Sequence, residues 1–199
     1  MKLFSLTLPA LALLAAVALP ASAQAEPTAW VIDSGHSRVG FSVVHMVVSS
    51  VSGRFKQVSG TVSLDEANLS KSELEITIEA ASIDTDEPKR DEHLRSPDFF
   101  DTTKFPAIVF KSTKVTPAGG TKYKLTGELT MHGVTKPVTL DANLSQAIKS
   151  PWGKLVRGAK ITGKLKRSDF GLKWNKALEA GGVIVGDDVT LEIQVEINH

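Results

Sequence analysis

The sequence predicts an all-β fold, built on a long antiparallel sheet that curls over its own oily face or pairs with a second sheet. Three observations predict it. From about Thr28 onward apolar and polar residues take turns. In Glu73-Leu74-Glu75-Ile76-Thr77-Ile78-Glu79-Ala80 the even positions are oily, and in Val189-Thr190-Leu191-Glu192-Ile193-Gln194-Val195-Glu196-Ile197 the odd ones are. Period-2 alternation sends every apolar side chain to one face of a sheet. Glycine also recurs inside these runs, at Gly40, Gly60, Gly127, Gly158 and Gly163, where it weakens a strand unless a bend or a close approach requires it. Finally, turn chemistry separates the runs: Asn68-Leu69-Ser70, Pro117-Ala118-Gly119-Gly120, His132-Gly133 and Ser150-Pro151-Trp152-Gly153.

Taken in order, the strands are expected at Ala29–Ile32, Ser37–Val48, Phe55–Leu64, Glu73–Ala80, Ala107–Val115, Tyr123–Met131, Lys136–Leu144, Val156–Lys166 and Asp187–Ile197. Two segments interrupt them. Asp84 to Lys104 opens with a cap-like Thr85-Asp86 and has Pro88 near a helix start, so it reads as one short helix followed by an aromatic turn, Phe99-Phe100. Ser168 to Gly182 reads as a long loop or a short helix. No internal repeat, low-complexity tract or linker divides the chain, so residues 24–199 are read as one domain.

The first residues are read apart from the fold. Met1-Lys2, an apolar run from Leu3 to Leu19 and the small residues Pro20-Ala21-Ser22-Ala23 make a secretory signal peptide cut after Ala23. The expected compartment is a periplasm. The chain has no cysteine, so it must fold by burial alone, which a domain of roughly 175 residues can do. With 23 basic and 22 acidic residues, it lacks the basic excess of a nucleic-acid binder.

The remaining question is what fills the inside. The candidate inward sets (Val39, Phe41, Val43; Val58, Gly60, Val62; Leu74, Ile76, Ile78; Tyr123, Leu125, Gly127, Leu129; Ala159, Ile161, Gly163, Leu165) mix medium aliphatics with glycine. A curled barrel of about eight strands with a hollow suits them, and so does a filled sandwich core.

Candidate chemistry is sparse. His36 and His45 lie nine residues apart, on opposite faces of one continuous strand, so they are not expected to share a metal ion. Asp91 and His93 could form an acid–base pair, but no nucleophile accompanies them, and a charged helix capping the barrel end is the preferred reading. Arg167 and Asp169 read as a turn-locking pair, and His132 as a hairpin-tip residue. No G-x-S-x-G elbow, H-E-x-x-H pair or phosphate-binding glycine loop occurs.

Several stretches together resemble the YceI-like family of secreted, lipocalin-like, polyisoprenoid-binding proteins. They are Asp33-x-x-His36-Ser37 with Phe41-x-Val43-x-His45, Val51-x-Gly53-Arg54-Phe55, and Ser82-Ile83-x-Thr85. Then come Arg90-Asp91-x-His93-Leu94-x-Ser96-x-Asp98-Phe99-Phe100-Asp101, Phe105-Pro106-x-Ile108-x-Phe110, Gly127-x-Leu129-x-x-His132-Gly133-Val134-Thr135-Lys136-Pro137-Val138 and Arg167-x-Asp169-Phe170-Gly171.

The resemblance implies an eight-stranded antiparallel lipocalin-like barrel with a short covering helix, holding a long isoprenoid or quinone-like lipid. It implies a binder or carrier rather than an enzyme, with no cofactor or metal of its own. A membrane or b-type cytochrome partner and a homodimer stay open as further partners, and an enzyme acting on a lipid as the alternative. The apolar tunnel is expected from Phe41, Val43, Leu74, Ile76, Ile78, Phe99, Phe100, Phe110, Leu125, Leu129, Ile161 and Phe170. The polar head group is assigned to His45, Arg54, Arg90 and His93, with Arg54 the first choice for an anionic head. A tail of some forty carbons at about 0.3 kcal/mol per heavy atom reaches on the order of 12 kcal/mol, near nanomolar affinity.

Overall fold

The computed structural model describes residues 27–179 and 181–199; the signal peptide expected over Met1–Ala23 lies outside them. Its elements in chain order are β1 (Thr28–His45), β2 (Ser49–Phe55), β3 (Val58–Leu64), β4 (Glu73–Glu79), β5 (Ile83–Asp84), α1 (Pro88–Arg95), β6 (Ala107–Pro117), β7 (Lys122–Met131), β8 (Val134–Leu144), β9 (Ile148–Lys149), β10 (Leu155–Lys166) and β11 (Val185–Asn198). Eight strands form a closed ring in the order β1-β3-β4-β6-β7-β8-β10-β11, with β11 returning to β1. Neighbours in the ring are antiparallel throughout. Closure leaves the oily faces looking inward at one another, which settles the choice between barrel and sandwich.

Strand β1 does two jobs. Its first part, Thr28–Val31, pairs with β3 inside the ring. After a register break between Asp33 and Arg38, Val39–His45 pairs instead with β2. The expected Ser37–Val48 strand therefore ends earlier, at His45. A turn at residues 46–48 starts β2, which the alternation alone did not separate from its neighbours. Two-residue strands β5 and β9 were also missed, because a pair of residues carries no periodicity. Gly127 shows why a strand glycine is needed: a Cβ there would sit within 2.5 Å of the Phe110 ring.

The cap of α1 differs from expectation. Its N-cap is Glu87, whose carboxylate accepts from the backbone N–H groups of Lys89 and Arg90, while Thr85 is buried. The Asp91 Oδ1 accepts from the Thr85 backbone N–H at 2.9 Å and from its hydroxyl at 2.6 Å. Arg95 donates to the carbonyls of Ala81 and Ile83. These bonds pin the helix to β5, and β5 in turn pairs with β2.

An ionic clamp reinforces that edge. Asp84 meets Lys56 at 2.9 Å and Arg54 at 2.7 Å. The Lys56 hydrogen bond first, then the Asp86 backbone N–H, pull its carboxyl from the ordinary 3.8 down to about 2, against a smaller raising effect of burial. A folded value below the unfolded one means that the clamp contributes fully above about pH 4 and is lost as pH falls towards 2. Asp84→Asn should therefore flatten the acid limb of a pH–Tm profile between those values. An unchanged profile would show that the clamp carries no linkage.

Candidate functional site

Inside the ring lies a cavity of about 190 Å³. A single water needs only about 10–15 Å³, so this is a hollow and not a packing fault. Of its 29 lining residues, only Ser72, Tyr123 and Lys164 are not apolar. The wall is built by alternation: Leu74, Ile76 and Ile78 come from β4, Leu125 and Leu129 from β7, Leu140, Ala142 and Leu144 from β8, and Leu191, Ile193, Val195 and Ile197 from β11. With almost no polar group to satisfy, such a space suits a hydrocarbon tail and repels a charge.

Seven of the expected tunnel residues are on this wall: Leu74, Ile76, Ile78, Phe110, Leu125, Leu129 and Ile161. The other five, Phe41, Val43, Phe99, Phe100 and Phe170, are not among its lining residues. Phe41 leans on Phe55, and Phe55 meets Phe100 edge-on, at centroid distances of 5.7 Å each. Phe99 stacks with Trp174 and His93, and Phe170 is 1% exposed in the core. For Phe41 the reason lies in β1, which from Val39 on pairs with β2, and there the inner face meets the helix cap: Gly53, opposite Phe41, abuts Thr85. These aromatics plug the helix end of the barrel.

None of the four expected head-group residues borders the cavity either. Arg54 is held by Asp84 and Asp86. Arg90 donates to the Thr85 hydroxyl and carbonyl, both at 2.7 Å. His93 pairs with Asp98 at 2.8 Å, and His45 ends β1 opposite Ser49. All four serve the cap or the β1–β2 hairpin. The sequence places His45 on a strand and Arg90 and His93 on the helix, but it leaves Arg54 between strands and cannot show the contacts that the cap makes.

Asp91 and His93 do not converge, since their partners are Thr85 and Asp98. Nor do Arg167 and Asp169 pair. Arg167 is buried and donates to the carbonyls of Leu172, Gly186 and Val185, and Asp169 faces Lys136 at 3.9 Å. Burial lowers the Arg167 pKa, partly offset by Asp187. His132 Nδ1 lies 3.2 Å from the Phe170 carbonyl. His36 lies against Asp33 at 3.1 Å, with Glu196 at 3.9 Å; its ring is largely exposed, and the Asp33 hydrogen bond raises its pKa.

Two seams of the wall are short. Strands β1 and β3 pair over four residues, and so do β8 and β10, Asp141–Leu144 with Ala159–Thr162, whereas β7 and β8 pair over ten. The β8–β10 seam also carries an opening. Beyond the last pair the strands part at an outer crevice of about 410 Å³ lined by Lys136, Pro137, Thr139, Lys166 and others. Val138, Lys164 and Leu165 border both crevice and cavity. The crevice is larger but shallower and mixed in polarity, so the apolar cavity inside the ring is the better candidate site. Sequence reading missed the seam, for which the one available signal was Pro137, which has no N–H to give a ladder.

The sequence profile described as the YceI-like domain matches residues 30–197. A UPF0312 protein of Photorhabdus laumondii is 42% identical over 171 residues, covering 86% of each chain. The crystal structure of BcnA from Burkholderia cenocepacia superposes with a TM-score of 0.73 at 27% identity, over 83% of this chain and 98% of that one. A polyisoprenoid-binding domain from Saccharophagus degradans, implicated in plant cell wall breakdown, gives a TM-score of 0.62 over 84% and 97%. At 16% identity that last likeness speaks to the fold alone.

Proposed function

The chain belongs to the YceI-like domain family, and from that premise we propose that it is a periplasmic carrier that holds the tail of a long-chain isoprenoid or quinone-like lipid in its barrel. The observation that carries this reading is the enclosed cavity, whose 29 lining residues include only three that are not apolar. The polyisoprenoid binding recorded for the Saccharophagus degradans domain of the same fold supports it. Burial of tail carbon supplies the affinity; no reacting group is needed at the wall. The experiment is organic extraction of the purified protein followed by mass spectrometry. A stoichiometric long-chain species is expected. Empty protein that also refuses added quinone and polyprenyl lipid would end the reading.

The head group must remain near polar surface. Among the residues bordering the cavity, Lys164 is the one with a charged side chain, and it stands at the seam. Lys164→Ala should weaken a polyprenyl phosphate several-fold more than the matching neutral alcohol. Arg54→Ala should weaken both alike, because Arg54 is engaged by the β5 edge. Equal loss for both lipids in the Lys164 variant would move the head away from the seam.

A further inference from the structure

The hairpin of β9 and β10 carries exposed large apolar residues at the barrel end opposite helix α1. Trp152 is 87% exposed, Ile148 65% and Leu155 40%. Ser150 N–H donates to the Lys154 carbonyl and Gly153 N–H to that of Ser150, so Trp152 sits in the tight turn at the tip. The hairpin grows directly from the cavity wall: Leu144 and Ala159, which face each other at its base, both line the hollow.

Its charge is as one-sided as its polarity is mixed. Residues 142–168 hold Lys149, Lys154, Arg157, Lys160, Lys164, Lys166 and Arg167, and no aspartate or glutamate. Arg157 is engaged by both Glu66 oxygens at 3.0 Å, and Arg167 is buried. Among the described residues, none of the five lysines lies within ion-pair distance of a carboxylate. By register Asp188 stands opposite Lys166, Glu196 opposite Gly158, and Glu192 and Asp141 opposite Thr162, all further down the wall than the tip.

We infer that this hairpin docks the protein on an anionic lipid bilayer, with Trp152 at the head-group level and Lys149 and Lys154 on the lipid phosphates. Tryptophan favours that interface because its ring is apolar and its N–H is polar. Each lysine close to an anionic leaflet strengthens binding by about fivefold. A second copy of the chain is a poor occupant, since two such tips would bring lysines together. Docking here would place the membrane at the barrel end opposite helix α1. The inference goes beyond lipid carriage and is read by a different measurement.

The test is sedimentation of the mature protein with vesicles of phosphatidylcholine alone, or mixed with an equal part of phosphatidylglycerol, together with tryptophan emission. Association with the mixed vesicles and a blue shift are expected. Trp152→Ser should weaken it roughly tenfold and remove most of the shift, and Lys149→Glu with Lys154→Glu should weaken it about twentyfold or more. Val48→Ser, on the exposed turn at the capped end, should change nothing. Wild-type protein that ignores the mixed vesicles, binding that survives both hairpin variants, loss in Val48→Ser, or self-association through Trp152 would each overturn the inference. Vesicle binding by a protein that takes up no lipid would sink the carrier reading and leave this one standing.

Discussion

Ile76→Trp should abolish lipid uptake while leaving the barrel folded. Ile76 stands mid-wall on β4, paired with Gly60 on one side and Phe110 on the other. It faces the hollow, so an indole there enters space that is now empty. The expected stability cost is under about 1 kcal/mol, whereas overpacking a filled core costs about 1–3 kcal/mol. The expected uptake, read by titration with a long-chain quinone, falls by roughly a hundredfold or more, equivalent to about 3 kcal/mol of lost binding. A variant that is strongly destabilised would mean that the wall is packed at this point.

The second large effect lies in the cap. Asp91→Ala removes the acceptor for the buried Thr85 N–H and hydroxyl, and Thr85 in turn positions Arg90. Losing bonds to a charged acceptor and stranding a buried donor should cost about 3 kcal/mol, a fall in Tm of roughly 6–12 °C. Asp91→Asn, which keeps an acceptor oxygen, should cost about half as much. His93→Ala loses an exposed partner, Asp98, and edge contacts with Phe99 and Trp174, so it should cost about 1 kcal/mol, well below the Asp91→Ala cost. Any turnover of a lipid that disappears in the stable His93 variant would revive the enzymatic alternative. Loss only in step with unfolding argues for a structural cap.

Much of this architecture is legible in the chain because a barrel wall is a periodic object. Alternation places Leu74, Ile76, Ile78, Leu125, Leu129 and Ile161 on the inner face before any coordinates are seen, and they line the hollow. What alternation cannot show is where the hollow ends along a strand. Phe41 and Val43 keep the inward phase of Val39 and stay paired with β11 and β2, yet at their level the inner face meets the cap, where Gly53 abuts Thr85. The sequence also puts Phe99, Phe100 and Phe170 on the tunnel wall. In fact they fill the helix end, packing on one another and on Trp174. Polar residues chosen by strand phase and helix position met their partners locally: Arg54 found Asp84, and His93 found Asp98. The first pairing joins residues thirty apart in sequence, which no local pattern carries; the second spans five residues across the turn after the helix.

The central claim is that an apolar tail lies within the ring of strands. An isoprenoid alcohol bearing a photoreactive diazirine near the end of its tail tests it most directly, with labelled residues located by peptide mass spectrometry. The account predicts labels on inward residues of several strands at once, such as Leu74, Ile76 and Ile78 on β4, Leu125 and Leu129 on β7 and Ile161 on β10, with their outward neighbours Glu75, Thr77 and Thr126 unmarked. Labels confined to outward residues, or to helix α1, would contradict it.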